Sequence, residues 1–173
     1  MEGLGMERRV LGHLAVLTAG YLVVSLVSKA LWEQSGPLPG LWFANVFVVA
    51  YILRTGIGTL TGTAAILVAA LAMNFDKSFS MMLVLAGSGT LGILIGVAGV
   101  RWWFPDTRNL ADRAVDYFYT LLIAGLLAPA VAGAFFAVGT NLLAGWPIVP
   151  TFSRWWSSDA MAFSLFLPVM LLV

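Results

Sequence analysis

FSMMLVLAGSGTLGILIGVAGV, residues 79–100, runs for twenty-two positions without a charged side chain. As an α-helix it would reach about 33 Å, enough to cross a hydrocarbon core of about 30 Å. A run of this length and apolarity predicts a membrane-spanning helix. It also contains Gly87-Ser88-Gly89-Thr90-Leu91-Gly92, which matches the spacing of a dinucleotide-binding loop. That loop needs a strand before it and a water-facing helix after it, so these glycines are read as packing residues.

The rest of the chain supports the same class. Of 173 residues, 61% are apolar and 10% charged, with a mean hydropathy of +0.96. An average soluble domain is about half apolar and a quarter charged. The expectation is an all-α integral membrane protein, a six-helix transmembrane bundle formed by a single domain, 1–173. The helices are expected at about 10–32, 41–53, 57–73, 79–100, 117–144 and 159–173. Pro37, Pro39 and the glycines beside them break the first connection, Arg54-Thr55-Gly56 forms the second, and Asn74-Phe75-Asp76-Lys77-Ser78 the third. Between 101 and 116, Pro105-Asp106-Thr107 is positioned to cap a short helix. The fifth helix contains Pro129 and should kink there. Pro147 and Pro150 fall in the last loop, and the final apolar segment covers only about 22 Å, so the chain stops inside or at the end of that helix.

Gly58-x-x-x-Gly62 and Gly92-x-x-x-Gly96 permit close helix approach, read as packing within the chain rather than as a dimer face. Arg8, Arg9, Arg54, Arg101, Arg108 and Arg113 fall on one side of the six-helix arrangement, Lys77 and Arg154 on the other. Basic loops stay in the cytoplasm, which places both termini there.

The net charge of +1 gives no basis for nucleic-acid binding, and the absence of cysteine excludes disulfides and thiolate chemistry. His13 stands alone as a histidine, which leaves a hydrogen bond to a neighbour or haem ligation as its roles and supplies no protein metal site. No nucleophile and base can be assembled, so the membrane domain is not read as an enzyme, and no residue set names a cofactor.

Depth in the bilayer is more informative. Lys29 closes the first helix, Asn45 lies early in the second, Asn74 closes the third, and Asp159 opens the sixth, beside Trp155 and Trp156. Polar groups at membrane depth must face protein or water, so these outer-side residues should converge. Lys29 and Asp159 are expected to pair or to share an outward-facing pocket, with Trp42, Trp155 and Trp156 at its rim. The competing reading has Lys29 reaching the headgroups and Asp159 capping its helix.

Three stretches resemble the bacterial integral membrane-associated sensor domains of the first class (MASE type). Leu41-Trp42-Phe43-Ala44-Asn45-Val46 is similar to that family's Trp-Pro-x-(Asn)-Gly segment, with Phe43 and Val46 replacing proline and glycine. Ala72-Met73-Asn74 and Ser88-Gly89-Thr90-Leu91 resemble its Ala-x-Asn and Gly-Asn-Thr-Leu-Glu stretches, with Gly89 and Gly92 where the amide and carboxylate stand. Trp155-Trp156-Ser157-Ser158-Asp159-Ala160-Met161 through Pro168 resembles its Trp-Trp-x-x-Asp-Ala-x-Gly...Pro motif, with Ala162 for glycine. The resemblance implies a sensory input domain in the bacterial inner membrane. Such a domain feeds a dimeric cytoplasmic histidine kinase or diguanylate cyclase, and so two-component or cyclic di-GMP signalling. Its ligand, an unknown small molecule, is named by no residue. The alternative is a six-helix substrate-binding component of an uptake transporter; a plain membrane anchor is a third reading.

Overall fold

The computed structural model describes residues 2–34, 41–107, 110 and 113–172, and these are helical with short connections and no strand. In chain order the helices are α1 (Glu2–Gln34), α2 (Phe43–Thr55), α3 (Thr59–Met73), α4 (Phe79–Trp103), α5 (Ala114–Thr120), a π-helical turn (Leu121–Leu127), α6 (Ala128–Ala144) and α7 (Ile148–Leu172). The α5 helix, the π turn and α6 form one continuous rod, Ala114–Ala144. Among the described residues four helices are long and apolar enough to cross a membrane: Glu7–Leu31, Phe79–Trp103, Ala114–Ala144 and Ile148–Leu172. The predicted break at 35–40 lies outside the described residues, as does most of the short helix expected after Thr107.

The pattern of exposure suits a chain in contact with lipid. On α1, Leu17, Tyr21, Ser25 and Ser28 are buried, a stripe at helical spacing, while Leu11, Val16, Val23, Leu26 and Val27 face out. An apolar outer surface with hydroxyls turned inward suits contact with a bilayer.

The α2 helix has 13 residues, of which Ala44, Asn45, Val46, Val48, Val49, Ala50, Ile52 and Leu53 are buried. A helix apolar on all sides has to be enclosed, and α1, α4 and α7 pack around this one. Its first N–H, at Phe43, donates to Ser28 Oγ of α1 at 3.0 Å, because Trp42 offers no capping oxygen. At its other end Gly56 adopts φ 72, a left-handed conformation that closes the helix. The Arg101 guanidinium adds a second donor to Ile52 O at 2.9 Å, a carbonyl that the Gly56 N–H already caps, and Thr107 Oγ1 donates to Leu53 O at 2.6 Å, so the helix end is bound from distant parts of the chain.

The glycines of α4 line a seam against the Ala114–Ala144 rod. A Cβ added at Gly92 would lie 3.1 Å from Ala132 Cβ, one at Gly96 3.5 Å from Ala124 Cβ, and one at Gly99 2.6 Å from Ile123 Cγ2. At the far end Gly139 meets Val84 at 2.8 Å. Rising numbers on one helix meet falling numbers on the other, so the two run antiparallel, with the glycines occupied inside the chain.

The kink expected at Pro129 takes the form of the π turn just before it. Pro129 has no N–H for the carbonyl four residues back and its ring crowds that carbonyl. The turn re-registers the bonds, with Ala128 N–H donating to Ile123 O, five residues behind.

The last helix corrects an expectation. It begins at Ile148 rather than at 159, with Pro150 in its first turn. First-turn N–H groups have no partner within the helix, so proline costs little there. Asp159 therefore sits mid-helix and caps nothing.

Candidate ligand-binding site

Asp159 is 3% exposed, on the inward stripe of α7 with Ser158, Ala162, Phe163 and Leu167. Facing it from α2 is Asn45, also 3% exposed, whose Nδ2 donates to Asp159 Oδ2 at 2.9 Å. These residues are 114 apart in sequence. Two polar side chains at this depth satisfy each other across a helix interface, where lipid would satisfy neither.

The pair forms part of the wall of a cavity of about 530 Å³, within the range of small-molecule sites. Its lining is drawn from every long segment. The α1 helix contributes Tyr21 and Lys29, Trp42 and Asn45 come from the start of α2, and Asn74 comes from the end of α3. Leu85 and Gly89 line it from α4, Phe136 from α6 and Trp146 from the following turn. Pro150, Thr151, Arg154, Trp155, Ser158 and Asp159 complete it from α7. The aromatic wall is itself packed, since the Phe136 and Trp155 rings lie 4.2 Å apart between centroids.

Of the residues expected at the site, Lys29, Trp42, Asn45, Asn74, Trp155 and Asp159 line this cavity together. Trp156 does not. It donates Nε1 to Leu126 O at 3.2 Å and stacks on Phe152 with planes 5° apart. The cavity-facing stripe of α7 repeats every four residues, at 150–151, 154–155 and 158–159, and Trp156 lies just off it.

Lys29 and Asp159 share the cavity but form no ion pair. Among the described residues the ion pair is Lys77–Asp76, at 2.7 Å in the exposed α3–α4 turn. There the Lys77 ammonium donates to the Asp76 carboxylate and holds it below the usual carboxylate range, with the Lys29 charge a lesser contribution. Lys29 lies exposed at the cavity's edge, Asp159 at its buried side. Asn74 Nδ2 is committed to Ala70 O at 2.8 Å and closes α3.

Asn45 Oδ1 and Trp155 Nε1 are buried polar atoms at the cavity without a hydrogen-bond partner among the described residues. Gly89 belongs to the same corner, since a Cβ there would stand 3.7 Å from Asn45 Oδ1. Among the described residues no group of three or more histidine or acidic side chains gathers as a metal site. His13 Nδ1 lies 3.0 Å from the Tyr51 hydroxyl, far along the chain from the cavity residues of α1.

Tyr21, Phe136 and Trp146 were not anticipated, and Arg154 was expected on the outer side beside Trp155 but not in the site. Tyr21 carried a signal, lying two turns before Lys29 on one face of α1. Phe136 carried none, because an aromatic in an apolar helix reads as core wherever it ends up.

At the opposite end of the fold, Arg54 NH1 donates to Leu171 O at 3.2 Å, and to Met170 O at 3.4 Å. The α7 helix therefore runs from the cavity to an arginine that holds its last turn. Compared with known proteins, the chain matches no family model, no curated protein and no solved structure.

Proposed function

We propose that the chain is a transmembrane sensory input domain of a bacterial signalling protein. In this reading six helices lie in the inner membrane with both termini in the cytoplasm, and the cavity opens outward. An attached cytoplasmic histidine kinase or diguanylate cyclase carries the output, working as a dimer. The observation that carries the reading is the enclosure of Asp159, midway along α7, in a cavity of about 530 Å³. A ligand there touches the same helix whose last turn is bound by Arg54.

The mechanism follows from that arrangement. A ligand stabilises whichever packing it contacts more favourably, and it shifts the equilibrium by no more than that difference. Contacts to Asp159 and Trp155 would change the rotation or depth of α7 against α2 and α6. The Arg54 contact transmits the change to the cytoplasmic end. The resemblance of the Trp155 to Met161 stretch to the sensor family points the same way.

The test is output activity of the parent protein in membranes, for the wild type and for Asp159→Asn and Lys29→Met. Altered basal or stimulated activity is expected from Asp159→Asn. Unchanged activity in both variants would remove the cavity as a signalling element. Accumulation of a solute in vesicles, with an ATPase partner and no output, would favour the uptake component instead.

A further inference from the structure

The cavity has a charge gradient that narrows the chemistry of its occupant. Among the described residues Asp159 supplies its one carboxylate, 3% exposed, with the Asn45 amide as hydrogen-bond donor and no salt bridge to a cationic side chain. Burying a carboxylate without a counter-charge is unfavourable, and an amide only partly offsets it. The same cavity is lined by the rings of Trp42, Phe136 and Trp155, aromatic surfaces of the kind that attract an ammonium group. The lining also carries the opposite sign, from the exposed Lys29 at the edge and the half-buried Arg154 of α7. A simple cation would meet that lysine as a like charge, and a simple anion would meet Asp159.

We infer that the cavity binds a small zwitterion, an ammonium at one end and a carboxylate or similar anion at the other. Its ammonium group sits at Asp159 among the rings of Trp42, Phe136 and Trp155, and its anionic group at Lys29. The inference rests on the reading of this cavity as a ligand site and adds the class of ligand. Amino acids and betaines have the required charges, and a cavity of about 530 Å³ accommodates either.

The experiment uses the full chain purified into nanodiscs, with intrinsic tryptophan fluorescence and the thermal unfolding midpoint as readouts. The zwitterionic probes are glycine betaine, L-leucine and L-phenylalanine. Choline keeps the cationic head of betaine without the carboxylate, and tert-butylacetate keeps its shape and carboxylate without the positive charge. At least one zwitterion is expected to bind, with choline weaker and tert-butylacetate inactive. Asp159→Asn retains an acceptor for Asn45 and should weaken binding about a hundredfold, the scale for removing one partner of a buried charge pair. Lys29→Met, at an exposed position, should weaken zwitterion binding about threefold and leave choline no weaker, since it removes a like charge.

Failure of all three zwitterions to bind the wild type overturns the inference. So does equal binding by the folded Asp159→Asn variant, or equal affinity for betaine and choline in wild type and Lys29→Met alike. Asp159-dependent zwitterion binding with a silent output supports the inference and counts against the sensory role alone.

Discussion

The Asn45–Asp159 contact allows a quantitative test of how the helices are held. Consider Asn45→Leu, Asp159→Leu and the double variant, all close in volume to the side chains replaced. A hydrogen bond to a charged group contributes about 1.5–3 kcal/mol in soluble proteins. Interhelical hydrogen bonds within bilayers average about 0.6 kcal/mol, with a maximum near 1.7, because the separated helices also find partners. Here both residues are 3% exposed, the geometry is good at 2.9 Å, and Asn45 Oδ1 has no partner among the described residues to begin with. Losing Asp159 therefore strands the whole Asn45 amide, and losing Asn45 strands a buried carboxyl. Each single variant should be destabilised, whereas the double variant removes both stranded groups. A coupling of about 1–2 kcal/mol is expected, toward the upper end of the bilayer range. Reversible unfolding in mixed micelles, followed by far-ultraviolet circular dichroism, measures all four corners of the cycle. Coupling below about 0.3 kcal/mol, the scatter of independent sites, would refute the reasoning.

Other expectations follow from packing, topology and charge. Gly139→Ala places a methyl 2.8 Å from both Val84 methyl groups and should cost about 1–3 kcal/mol, while Gly87→Ala, 3.5 Å from Phe135, should be neutral or stabilising by about 0.5–1 kcal/mol. Unfolding midpoints of the two variants should separate accordingly, and equal midpoints would contradict the seam. Because the chain has no cysteine, single replacements need no prior removal of native thiols. Ser78→Cys should react with an impermeant maleimide from outside intact cells, and Arg9→Cys only after lysis. The Asp76 carboxyl should titrate below the ordinary carboxylate range, and Lys77→Ala should raise its midpoint, as followed by carbon-13 NMR. A depressed folded-state value favours the folded form above the unfolded-state value, an advantage lost as pH falls through the folded one. Asp76 is fully exposed, so this shows in the titration rather than in global unfolding.

The site was legible in the sequence to the extent that bilayer physics is strict. Lys29, Asn45, Asn74 and Asp159 come from four helices and share no motif, yet the cost of a polar group in lipid is enough to bring them to one cavity. The same reasoning could not rank neighbours on a helix. Trp155 and Trp156 are chemically identical and adjacent, and only the rotation of α7 sends one to the cavity and the other to Leu126 O. Helix boundaries were least legible where proline was read only as a breaker. Pro150 occupies a first turn that tolerates it, and this moved Asp159 from a helix end to its middle. The length of α4 and the turn from Asn74 to Ser78 were clear, because one is a long uncharged run and the other a cluster of turn formers and charges.

The π turn at Leu121–Leu127 has a consequence for how the chain tolerates changes of length. A π turn holds one residue more than an α-helix needs to join the same two flanks in the same rotational phase. Removing one residue there would keep Ala114–Thr120 and Ala128–Ala144 facing their present neighbours, at the cost of returning Pro129 to an ordinary helix interior. Removing one from the middle of α4 would turn everything beyond it by about 100°, carrying Gly92, Gly96 and Gly99 off the rod they pack against. The rod thus contains its own slack, confined to one turn, while its partner α4 is fixed in length along the whole seam.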